Sequence, residues 1–70
     1  MDILVFKTNL RFKKHLSDAE HHLRKIPGIV RWNVDLQDCD KVLRIESQDL
    51  APRVIEKALT DIGYYCKELE

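Results

Sequence analysis

Three histidines and two cysteines are the residues of this chain best suited to chemistry, because imidazole and thiolate donors hold transition-metal ions. His15, Asp18 and His22 stand at i, i+3 and i+7, along one side of a helical stretch. Helical rise separates His15 from His22 by roughly 10 Å, too far for one ion with bonds near ~2 Å. Asp18 and His22, at i and i+4, have the spacing to share a surface ion, whereas the adjacent His21 and His22 diverge in direction. The simpler account of these residues is a solvated polar face. Cys39 lies in the polar stretch Q-D-C-D, where Asp38 and Asp40 look like turn acids, and Cys66 lies close to the C-terminal end. There is no Gly-rich phosphate loop and no nucleophile with an obvious base, so catalysis is not expected. A chain of 70 residues also has little room for a closed pocket.

The elements that must position these residues follow from hydrophobic periodicity. Residues 9–28 organise the chain as a loop, an amphipathic helix and a stop. Leu16, Ala19, Leu23 and Ile26 form one stripe, and Pro27-Gly28 ends it. The helix is expected over residues 12–26, with Ser17 as a rejected later start. Residues 3–8 read as a strand whose face of Leu4, Phe6 and Thr8 continues to Leu10. Residues 29–36 alternate Val30, Trp32, Val34 and Leu36 with Arg31, Asn33 and Asp35, giving a second strand. Residues 37–40 make a polar hairpin connection, and residues 41–47 make a third strand with Leu43 and Ile45 on one face. Asp49 is the expected cap of a second helix that starts near Pro52 and runs to Ile62, burying Leu50, Val54 or Ile55, Ala58, Leu59 and Ile62. Gly63 closes it, and residues 64–69 form a short last strand.

Strand, helix, strand, strand, helix, strand is the order of an α+β, ferredoxin-like βαββαβ sandwich. It has an antiparallel four-stranded sheet with two helices on one face, here as one domain over residues 1–70. The strand order 4-1-3-2 brings His15, Cys39 and Cys66 towards one end. Sheet spacing puts the two cysteines on the order of 10–15 Å apart. The uncovered sheet face should carry Ile3, Val5, Arg31, Asn33, Val42 and Arg44, with Trp32 on either face according to a bulge after Gly28.

Composition narrows the function classes. Twelve basic and twelve acidic residues cancel, which argues against a general nucleic-acid binder. Arg11, Lys13 and Lys14 form a local basic cluster at the loop. No apolar run approaches the length of a membrane span, and the N-terminus, M-D-I-L-V-F-K, has no basic n-region and no cleavage-like site, so it does not read as a signal peptide. Two distant cysteines without such a signal point to reduced thiols in a cytoplasm.

P-G-I-V, V-D-L, K-V-L-R-I-E-S and A-L-T-D-I-G-Y together resemble the heavy-metal-associated domain, and the resemblance covers nearly the whole chain. That family includes small copper chaperones and the N-terminal modules of metal-pumping ATPases. Its members carry a Met-x-Cys-x-x-Cys loop about a dozen residues before the turn that Pro27-Gly28 represents. Counting back, the methionine falls on Leu10, the first cysteine on Phe12 and the second on His15. The resemblance therefore implies the family framework with both loop thiols replaced. Phe12 cannot ligate and is expected to pack.

Two functional readings follow. In the first, the chain is a small noncatalytic docking domain with no resident cofactor. It binds a protein partner with an acidic surface through Arg11, Phe12, Lys13, Lys14 and Tyr64 at the loop end, and a homodimer is a further option. In the second, it is metallochaperone-like and holds Cu, Zn or Ni with His15 together with Cys39, Cys66 or a partner's ligand.

Overall fold

The apolar run at residues 3–6 leaves no polar side for water, and it lies inside a strand paired on both edges. The computed structural model describes residues 2–69. Its elements are β1 (Asp2–Thr8), α1 (Lys13–Leu23), β2 (Ile29–Asp35), β3 (Val42–Ser47), α2 (Pro52–Thr60) and β4 (Cys66–Glu68). The strands form one antiparallel sheet in the order β2-β3-β1-β4. This is the expected ferredoxin-like arrangement, built as its sequence order requires. Leu4, Phe6, Leu43 and Ile45 from the sheet meet Ala19 and Leu23 of α1 and Ile55 and Leu59 of α2 in a single core. Among the described residues, no helix is long and apolar enough to cross a membrane.

The differences from expectation have local causes. Phe12 is the N-cap of α1 rather than its first residue, with extended backbone at φ −115° and ψ 162°. The helix ends at Leu23, because Pro27 disfavours helical geometry at Ile26. Residues 24–26 instead tighten, with the Lys25 and Ile26 N–H groups donating to the His22 and Leu23 carbonyls. Ile26 still packs on the core. Gly28, at φ +102°, makes the turn into β2, where an added Cβ would meet the Gln48 carbonyl at 2.9 Å.

A bulge between Ile29 and Arg31 changes which residues of β2 face inward. Ile29 takes the inward position expected for Val30, which is 49% exposed. The same bulge settles Trp32. It stands opposite Ile45 and packs against the core, on the helix-covered face. Asp49 does not cap α2. Pro52 occupies the first turn, so the extended residue before it, Ala51, is the N-cap, while Asp49 turns the chain at φ +53°. Ile55 is fully buried and Val54 is 38% exposed, which resolves the alternative on that helix. At the other end the Gly63 and Tyr64 N–H groups donate to the Thr60 and Leu59 carbonyls, a Schellman closure with Gly63 at φ +93°. β4 is shorter than expected, because Tyr65 gives its N–H to the Asn9 side chain at 2.9 Å and the ladder proper begins at Cys66 opposite Thr8.

Candidate functional site

The end of the sheet where β1 leaves for α1 is assembled from three chain segments. Thr8 anchors it. Its N–H donates to the Asp40 carbonyl at 3.0 Å, its hydroxyl donates to the Lys41 carbonyl, and its oxygen accepts the Leu10 N–H at 3.3 Å. The hairpin between β2 and β3 is thereby tied to the β1–α1 loop. Asn9 ties that loop to the segment after Gly63 through its bond with Tyr65. Leu10 is fully buried and pins the loop from beneath.

His15 holds the loop from the helix side. Its Nδ1 accepts the N–H groups of Arg11 and Phe12 at 3.1 and 3.4 Å. Phenylalanine has no acceptor to return, so this is half of a capping box, with imidazole in the role usual for Glu. The neutral ring then carries its proton on Nε2. The ring lies between Phe12 and Tyr64, with centroids 5.2 and 5.1 Å away. Tyr64 donates its hydroxyl to Asp18 Oδ2 at 2.8 Å. That bond favours the protonated phenol and raises its pKa, with burial and the Asp18 charge adding in the same direction. Asp18 and His22 do not converge on an ion site. Asp18 holds Tyr64, and His22 Nδ1–H donates to the Asp18 backbone carbonyl at 3.0 Å.

Cys39 is exposed on the hairpin, and Cys66 is buried beside Thr8. Burial pushes the Cys66 thiol up to about 12, and the nearby Glu56 carboxylate adds to the effect. His15, Cys39 and Cys66 share this end of the domain but do not meet. Among the described residues, the donors lying within 4.8 Å of one another in a group of three belong to Asp38, Cys39 and Asp40. Asp40 also faces the Lys7 ammonium at 3.5 Å, and Asp38 Oδ1 accepts the Asp40 N–H at 2.8 Å.

Phe12, expected to pack, is 64% exposed and touches His15 edge-on. Its sequence neighbours Arg11, Lys13 and Lys14 are all exposed, and among the described residues none of the three is in an ion pair. The roles of Asn9 and Asp18 escape sequence reasoning. Each joins a partner 56 or 46 residues away, and neither position carries a local pattern that names that partner.

No family model and no curated protein sequence matches the chain. Solved structures do. The N-terminal domain of PacS from Synechocystis PCC6803 superposes with a TM-score of 0.83 at 17% identity, over 100% of both chains. The yeast copper transporter domain CCC2A, solved in apo and Cu(I)-loaded states, gives 0.83 at 13% identity, over 97% of this chain and 94% of its own. The CopZ metallochaperone gives 0.81 at 19% identity, over 94% of this chain and 100% of its own. At these identities the likeness is one of fold, and the fold that this protein shares with them is the ferredoxin-like βαββαβ sandwich.

Proposed function

We propose that this protein is a noncatalytic docking domain of the heavy-metal-associated type. Its loop end engages an acidic protein surface directly, without a metal ion between the two proteins. The observation that carries this reading is Phe12, 64% exposed and flanked in sequence by Arg11, Lys13 and Lys14, exposed cations in no ion pair among the described residues. An exposed aromatic anchor inside a charged surround suits a protein interface. It suits an acidic one here, because charge complementarity steers encounter. Tyr64 adds aromatic area behind it through His15.

The donor chemistry supports the same reading. A soft ion such as Cu(I) favours thiolates. The loop offers Leu10, Phe12 and His15 at the family's ligand positions. His15 Nδ1 is engaged by two backbone N–H groups, and freeing Nε2 as a ligand would place a proton on Nδ1 against those donors. The Cys66 thiol is held in its protonated form by burial. These groups do not fit a chaperone-type metal cargo site.

The test is titration with an acidic peptide, followed by backbone amide shifts. Perturbations should centre on residues 11–15 and 63–65. The double charge reversal Lys13→Glu, Lys14→Glu should weaken binding mainly through the on-rate, with the difference shrinking as salt rises. Binding that survives the reversal but is lost on changing Val5 or Val42 would move docking to the uncovered sheet face.

A further inference from the structure

β2 is an edge strand of the sheet. The phase of the sheet shows which backbone groups that edge offers. The Leu69 N–H donates to the Val5 carbonyl, so Val5 faces β4, and Leu4 and Phe6 face β3. Their partners Ile45 and Leu43 therefore face β1, and Val42, Arg44 and Glu46 face β2. Across from these, Arg31, Asn33 and Asp35 use their backbone groups inside the ladder. Trp32 and Val34 turn theirs to the open edge, where no further strand of the sheet lies.

We infer that β2 forms an antiparallel homodimer with β2 of a second copy, about a two-fold axis at Asn33. In that register Trp32 stands opposite Val34 of the second copy, and Val34 opposite its Trp32. All the N–H and C=O groups that the two residues present then pair, making four hydrogen bonds. The same register sets Arg31 against the second copy's Asp35, twice by symmetry, as non-hydrogen-bonded neighbours whose side chains lie closest. Asn33 meets its own copy, and a side-chain amide is both donor and acceptor.

Three observations favour this occupant. Asp35 is in no ion pair among the described residues, although it lies on the same exposed face as Arg31, four residues further along the strand. Arg31 is bound on one side only, by Glu46 at 2.8 Å, and its planar fork has donors left for a second carboxylate. The bulge between Ile29 and Arg31 interrupts regular pairing there, so the regular stretch is Arg31 to Asp35, whose centre is Asn33. Moving the axis to Trp32 would set Arg31 against Asn33 and lose both charge pairs. Val30, 49% exposed at the bulge, adds apolar surface beside the edge.

Sedimentation equilibrium from micromolar to millimolar protein tests the interface. The parent should shift from monomer to dimer with concentration. Arg31→Glu and Asp35→Lys should each weaken self-association by about tenfold or more, since symmetry turns both opposite-charge pairs into like-charge pairs. Mixing the two variants should restore dimers as a heterodimer, because each then meets its complement. Circular dichroism confirms that each variant is folded, and the mixture is the arm that a merely destabilising substitution cannot rescue. A parent that stays monomeric at millimolar concentration would overturn the inference. So would a dimer indifferent to both charge changes, or variants that fail to associate when mixed.

Discussion

Replacing His15 with alanine separates a capping imidazole from a ligand held in reserve. The ring does two jobs in the fold. It accepts the Arg11 and Phe12 N–H groups at 3.1 and 3.4 Å, and it fills the space between Phe12 and Tyr64. Losing a helix cap costs about 0.5–2 kcal/mol. Both bonds here are exposed and one is long, which places this term in the lower half. Aromatic contacts contribute about 0.5–1.5 kcal/mol beyond area, again reduced because Phe12 is open to solvent. The sum is about 1–2 kcal/mol, a substantial share of the ~5–15 kcal/mol that holds a native domain. In a chain of this size that is a fall in Tm of roughly 4–16 °C. Urea titration at fixed pH gives the free energy directly, with an unchanged slope showing that the unfolded reference has not moved. His15→Glu supplies the usual capping-box acceptor and a charge suited to a helix N-terminus, so it should lose less than His15→Ala. An alanine variant as stable as the parent, or a glutamate variant less stable than the alanine one, would refute the capping role.

Two further outcomes follow from buried groups. The Ser47 hydroxyl is fully buried with no hydrogen-bond partner among the described residues, so Ser47→Ala should be neutral or stabilising by up to about 1–3 kcal/mol, read from the urea midpoint. Cys66 has its thiol pKa raised from 9.0 to about 12, so the folded state holds that proton more tightly than the unfolded chain. The contribution is complete below pH 9 and is lost as pH rises towards 12. Stability should therefore decline across that window in the parent and less so in Cys66→Ala, while alkylation at neutral pH should label the exposed Cys39 and spare Cys66.

Much of the fold was legible because its signals are local. The apolar run at residues 3–6 marks a central strand, the stripe Leu16, Ala19, Leu23 marks a helix face, and glycine marks both helix exits. Expectations slipped where one residue's backbone preference overrode a pattern. Pro27 shortened α1, Pro52 moved the cap of α2 from Asp49 to Ala51, and the bulge after Gly28 exchanged Val30 for Ile29. The side-chain chemistry of the loop end was less legible. That His15, Tyr64 and Asp18 form one linked group depends on bringing residues 46 apart into contact, and periodicity carries no record of such a meeting. The exposure of Phe12 was equally hidden, because an aromatic residue near a helix start reads as core.

Cu(I) retention against a competing chelator, followed by native mass spectrometry, tests the central claim most directly. If the loop end is a docking surface in which His15 serves as a cap, the protein should emerge folded and free of copper, and His15→Ala should change stability but not metal content. A one-to-one Cu(I) complex that survives the chelator and disappears in His15→Ala would contradict the claim and return the loop to metal handling.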